Sequence, residues 1–197
     1  MQFGVVAGVF ALIFVAELPD KTMIATLIMG SRYRPVLVWI GATAAFGVHA
    51  ALAVLAGRLL ALLPHAWVEA VTALLFGAGA AYLLLVSEET EEEEGEEEVE
   101  EAPSGLRPIG TAFLVILVGE FGDLTQIQAA NFEARLRQPL EVFLASSLAL
   151  IAVSFIGAYS GRALQRRIPL KRVRLGGGLI FAGLGIATIT SLIVSIA

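Results

Sequence analysis

Polar and apolar residues do not alternate along this chain. The apolar ones gather into six long runs, at about residues 3–29, 36–63, 67–86, 109–130, 140–164 and 175–196. Each reaches the roughly 20 residues that an α-helix needs to cross a hydrocarbon layer about 30 Å thick. Between the runs stand helix-ending or charged residues: Gly30 to Pro35 with Arg32 and Arg34, then Pro64 and His65, then a glutamate tract closed by Pro103, Gly105 and Pro108. The pattern predicts an all-α membrane protein with six transmembrane helices, a multi-pass protein in a lipid bilayer.

The six runs are three runs written twice. Glu17 maps on Glu120 and Asp20 on Asp123 at an offset of 103 residues, Pro35 on Pro139 and Gly57-Arg58 on Gly161-Arg162 at 104, and Pro64 on Pro169 and Phe76 on Phe181 at 105. An offset that drifts by single residues is what duplication followed by small insertions leaves. Three helices per copy is an odd number, so the second copy enters the membrane from the opposite face. The expected architecture is therefore two inverted three-helix repeats, residues 1–86 and 107–197, joined by an acidic linker at 87–106.

Charge refines this picture. Of 18 acidic residues, 11 are glutamates between positions 88 and 101, which leaves 7 acidic against 13 basic residues in the rest of the chain. Such a dense run of like charge repels itself and buries little, so the linker is expected to be solvated and disordered. Arg32, Arg34, Arg107, Arg162, Arg166, Arg167, Lys171, Arg172 and Arg174 fall on the linker's side of the membrane, and Arg58, Arg135 and Arg137 on the other. The positive-inside rule then puts the linker in the cytoplasm and both termini outside. Residues 1–3 carry no basic segment before the first apolar run, so a first membrane helix is expected rather than a cleaved signal. There are 57% hydrophobic residues and no cysteine, which excludes a disulfide framework and thiolate chemistry. The basic residues lie at helix ends and form no separate basic domain, so no nucleic-acid partner is expected. Trp39 and Trp67 stand near helix ends, as interface anchors do.

Inside the first and fourth runs lie the residues that apolar periodicity does not explain. Glu17-Leu18-Pro19-Asp20-Lys21-Thr22 and Glu120-Phe121-Gly122-Asp123-Leu124-Thr125-Gln126 share the pattern E-x-x-D-x-T. A carboxylate at the centre of a membrane helix costs roughly 2.5–3.5 kcal/mol, so four of them at matched positions require compensation. A lone intramembrane glutamate often makes one protonated hydrogen bond, but the duplication favours a bound cation. Positions three apart share a helix face, which aims Glu17 with Asp20 and Glu120 with Asp123. Pro19 and Gly122 loosen the helix beside each aspartate and free carbonyls to act as ligands. With Thr22, Thr125 and Gln126 the expected metal site is all oxygen, suited to a hard divalent cation such as Mn2+ or Ca2+. Lys21 supplies a countercharge in the first copy only, because its counterpart is Leu124. Gln128 and Asn131 could line a path out of the site. His49 is expected to bond a neighbouring group rather than shuttle protons. The small residues Gly77, Gly79, Ala81, Gly176, Gly177, Gly178 and Gly183 read as helix-packing positions. No prosthetic group is implied.

The two motifs resemble the paired E-x-G-D-[KR]-[TS] motifs of the calcium/cation antiporter-2 family, formerly uncharacterised protein family 0016, which includes transmembrane protein 165. The resemblance covers nearly the whole chain. It implies a secondary transporter, not an enzyme, that exports Mn2+ or Ca2+ or loads an organelle with it, in exchange for protons. It also implies that Glu17, Asp20, Glu120 and Asp123 are the cation ligands. Two departures stand out: Pro19 replaces the first motif's glycine, and Leu124 the second motif's basic residue. Two rival readings are an amino-acid-type exporter, which wants a larger and partly apolar cavity, and an intramembrane lipid-phosphate hydrolase, which wants an arginine clamp beside the acids.

Overall fold

The computed structural model describes residues 3–18, 20–85, 88–100, 107–165 and 170–196. The expectations placed on Pro19, Pro103, Gly105, Arg166, Arg167 and Pro169 lie outside the described residues. Among those described, the chain is all helix: α1 (Phe3–Glu17), α2 (Lys21–Arg32), α3 (Pro35–Leu60), α4 (His65–Leu85), α5 (Glu88–Glu100), α6 (Pro108–Gly119), α7 (Leu124–Leu136), α8 (Pro139–Gln165) and α9 (Leu170–Ile196). Proline opens α3 and α6 at their first position, where its missing amide hydrogen would have had no partner.

Four of these helices, α3, α4, α8 and α9, carry stretches long and apolar enough to cross a membrane singly. Two further spans are broken. The first and fourth apolar runs each form two half-helices, α1 with α2 and α6 with α7, and the second pair bends by 70° at its break. The repeat is plain in the packing. α8 lies against α1 and α2, and its counterpart α3 lies against α6 and α7. Equivalent crossings depend on small residues. A Cβ on Gly157 of α8 would sit 2.7 Å from the Met23 carbonyl oxygen of α2, and one on Gly57 of α3 would strike the Ala130 carbonyl of α7. α3 and α8 also pack on each other through Trp39, whose indole donates to the Ile151 carbonyl at 3.2 Å. Trp39 thus ties two helices together, while Trp67 is exposed.

The expectation of a disordered acidic linker is corrected for residues 88–100, which form α5 and pack along α2. The reason lies in the interruptions of the glutamate run. Gly95 and Val99 are four apart and so share one helix face. A Cβ on Gly95 would come 2.9 Å from Ile24 and 3.1 Å from the Lys21 carbonyl oxygen, and Val99 is buried. On the other side α2 meets α8, so every residue from Thr22 to Met29 is buried.

Candidate functional site

Each broken span ends one half-helix on a glutamate and starts the next on an aspartate. Glu17 is the last residue of α1 and Asp20 stands at the N-cap position of α2, without a side-chain bond to the helix; Glu120 follows α6, and Asp123 at the N-cap of α7 accepts from the Thr125 amide. The two turns are built alike. The Asp20 amide donates to the Glu17 carbonyl at 3.2 Å and the Asp123 amide to the Glu120 carbonyl at 3.3 Å. Gly122 adopts a φ of +79°, a left-handed conformation that glycine takes without a Cβ penalty. This corrects the reason expected for the pairing. The acids of each motif converge because the helix stops between them, not because they share one continuous helical face.

The turns meet in the interior. One ligand oxygen from each of Glu17, Asp20, Glu120 and Asp123 lies within 4.8 Å of all the others, and only Asp123 is as much as partly exposed. Oxygens on opposite sides of a Ca2+ at roughly 2.3–2.6 Å stand roughly 4.6–5.2 Å apart, so the cluster has the dimensions of one ion's ligand shell. The helix ends add to the field. The C-terminal ends of α1 and α6 favour a nearby cation, and the N-terminal ends of α2 and α7 favour nearby negative charge. A small cavity of about 20 Å³ adjoins Glu17, Glu120, Asp123, Thr125 and Gln126, room for one water or one small ion.

The threonines bind the two copies together crosswise. Thr22 of the first motif donates its hydroxyl to Glu120 Oε1, and Thr125 of the second donates to Glu17 Oε1. Thr125 also reaches Asp123 Oδ2 through its amide at 3.3 Å and its hydroxyl at 3.2 Å. Gln126 serves the break and its neighbour. Its Oε1 accepts from the Gly122 amide at 2.7 Å, and its Nε2 lies 3.0 Å from His49 Nδ1. His49 Nε2 lies 3.2 Å from the Ile116 carbonyl. A carbonyl only accepts, so Nε2 carries the proton and Nδ1 accepts from Gln126. His49 therefore bonds both a backbone and a side-chain group.

Three contacts escape any reading of the motifs. Tyr82 of α4 donates to Asp20 Oδ1 at 3.1 Å. Lys21 Nζ donates to the Gly119 carbonyl at 3.0 Å, at the broken end of α6, and pairs with Glu98 of α5 at 3.0 Å. Burial pushes the Glu98 carboxyl above the usual carboxylate range, with Lys21 pulling it the other way. Tyr82 lies 62 positions from Asp20 and Glu98 is one glutamate in a run, so no spacing rule marks either. The only trace in the sequence is the set of non-glutamate positions that give α5 its packing face. Gln128 and Asn131 lie further along α7 and face away from the acid cluster, towards α4. Of the glycines expected to pack helices, Gly79, Gly177 and Gly178 meet neighbouring side chains, whereas Gly77, Gly176 and Gly183 face open space.

Buried acids from two inverted halves, meeting at paired helix breaks in a multi-pass membrane protein, define a cation transporter. The sequence profile of the family described as divalent cation/proton antiporter GDT1 matches residues 5–91 and 108–194. The chain belongs to that family. It is 29% identical to a GDT1-like protein of Synechocystis over 184 residues, covering 86% of this chain and 89% of that one. It is 26% identical to GDT1-like protein 5 of Arabidopsis thaliana over 211 residues, covering 91% and 92%. No solved structure matches it.

Proposed function

We propose that the protein exports a divalent cation, Mn2+ foremost or Ca2+, in exchange for protons by alternating access. The observation that carries this reading is the set of four carboxylates, two from each repeat, with ligand atoms within 4.8 Å of one another. Glu17, Asp20, Glu120 and Asp123 are the ligands. Thr22 and Thr125 orient the two glutamates and turn their hydroxyl lone pairs to the ion, and Gln126 completes the oxygen set. The family's activity with divalent cations and protons supports this assignment. Four negative charges this close need a partner, so cation and protons take turns in neutralising them. The linker faces the cytoplasm, following nine basic residues on its side against three on the other. The cation is then taken up from that side and released on the other.

A lipid-phosphate hydrolase would set an arginine beside the acids, and no described residue lining the pocket is one. An amino-acid exporter would need a roomy cavity at the acids themselves; the one they line holds about 20 Å³, and the apolar pocket of about 660 Å³ beside Gln126 touches none of the four carboxylates. The test is Mn2+ and Ca2+ flux into proteoliposomes under a proton gradient, with Glu120→Gln as the comparison. Flux in the unsubstituted protein and its loss in the variant are expected. Undiminished flux in Glu120→Gln would overturn the site assignment, and flux that ignores the proton gradient would overturn the exchange.

A further inference from the structure

On the side of the acid cluster away from α5, the interface of α4 and α7 carries a second set of polar groups that cation binding does not use. Gln128 is 2% exposed, and neither its Oε1 nor its Nε2 has a hydrogen-bond partner among the described residues. A buried amide left unpaired is costly, and nothing in the packing of α7 requires one here: the matched position in the other repeat, at the same offset of 103, is Ala25. Close to Gln128 along α7, Asn131 Nδ2 donates to the Thr72 hydroxyl of α4 at 2.9 Å, and that hydroxyl donates in turn to the Val68 carbonyl at 2.7 Å. The counterpart of Asn131 is Ile28. The polar track is therefore a property of one half and not a relic of the duplication.

Gly79 separates the track from a small cavity beside the acids. A cavity of about 20 Å³ touches Asp20, Asp123, Thr125, Tyr82, Gly79 and Phe181, which suffices for a single water. Gly79 stands between this cavity and Gln128. A Cβ there would lie 2.5 Å from Phe181 Cδ1 and 2.8 Å from Gln128 Nε2. Because position 79 has no side chain, Phe181 and Gln128 pack directly against α4 beside this cavity.

We propose that Gln128, backed by Asn131 and Thr72, is an uncharged transit site for the cation between α4 and α7, reached from the carboxylates past Gly79 when α4 moves against α7. It rests on the transport reading above. Neutral amide and hydroxyl oxygens suit a hard cation but hold it far less tightly than carboxylates. A path needs such a site, since an ion must be able to leave it. The amide's unused donor and acceptor are then satisfied by the ion's water and by the ion in turn.

The experiment separates binding from passage. Mn2+ binding to the purified protein in detergent and Mn2+ flux in proteoliposomes are measured for Gln128→Leu, Gly79→Ala and the double variant Thr72→Val with Asn131→Leu. Binding within about twofold of the unsubstituted protein, with flux down tenfold or more in Gln128→Leu and Gly79→Ala and reduced in the double variant, is the expected result. Flux unchanged in either folded variant would overturn the transit site, as would binding and flux falling together. If one variant does not fold, the remaining two decide. An unsubstituted protein that binds Mn2+ yet moves none would overturn the transport reading and the transit site with it.

Discussion

Thr22 and Thr125 show how single residues keep four acids in one place. Each hydroxyl crosses from its own motif to the glutamate of the other, so neither glutamate is oriented by its own half alone. Removing a hydroxyl orphans a buried acceptor, which costs about 1–3 kcal/mol. Thr22→Val and Thr125→Val are each expected to weaken Mn2+ binding by roughly tenfold or more. Titration of the purified variants with Mn2+ checks this, and equal affinities for both variants and the parent would count against the crossed arrangement. The motif made both threonines visible in the sequence, but not the direction of their bonds. Three-residue spacing suggested a shared helix face, and only the positive φ at Gly122 and the capping positions of Asp20 and Asp123 reveal two half-helices instead.

At the scale of elements, α5 and the glycine crossings make opposite demands. α5 is acidic and attaches through few groups, chiefly Gly95, Val99 and the Lys21–Glu98 pair. Glu98 has a higher pKa docked than free, because burial outweighs the attraction of Lys21. A carboxyl with a raised docked value favours docking at low pH, and this contribution is lost as pH rises through that value. A spin label on Glu97→Cys should accordingly be less mobile at pH 5 than at pH 8, with the difference reduced when Glu98→Gln is added. Mobility independent of pH in the protein with Glu98 intact would refute this. The α3–α7 crossing tolerates no such looseness. Gly57→Ala pushes a methyl group into the Ala130 carbonyl and the Glu133 side chain, and overpacking of this kind costs about 1–3 kcal/mol. A fall in Tm in detergent is expected. At Gly77, where nothing lies within 4 Å, the same substitution should leave Tm unchanged.

Across the whole molecule, α4 and α9 form a pair apart. Their most extensive contact is with each other; α4 then touches α7 and α9 touches α1, while no comparable contact joins α9 to α2 or α4 to α6 among the described residues. Under the repeat, the missing contacts are the counterparts of the ones made. α3 and α8, by contrast, each grip two half-helices as well as one another. The α4–α9 pair is thus placed to rock against a stiffer body. The chain has no cysteine, so paired substitutions give a clean background. Bridging Phe76→Cys to Phe132→Cys, whose rings stand 6.1 Å apart across α4 and α7, with a short thiol crosslinker should stop Mn2+ flux while leaving Mn2+ binding in place. Bridging Trp39→Cys to Phe155→Cys, with rings 5.5 Å apart across α3 and α8, should stop neither. Full flux with the first bridge in place would rule out movement of α4 against α7.

What the amino-acid order alone settled is what one-dimensional patterns encode. Apolar run lengths set the membrane spans, the drifting offset set the repeat and its inversion, and the doubled E-x-x-D-x-T singled out the acids. Each follows from local helix geometry or from the cost of a charge in hydrocarbon, neither of which needs a neighbour. Contacts between distant segments were decided by tertiary packing. Tyr82 on Asp20, His49 on Gln126 and the Lys21–Glu98 pair join residues 62, 77 and 77 positions apart, and no periodicity links them. The same holds for α5. Charge repulsion argues for a solvated chain until α2 offers a surface against which Gly95 and Val99 can be buried, and that surface exists only once the helices have assembled.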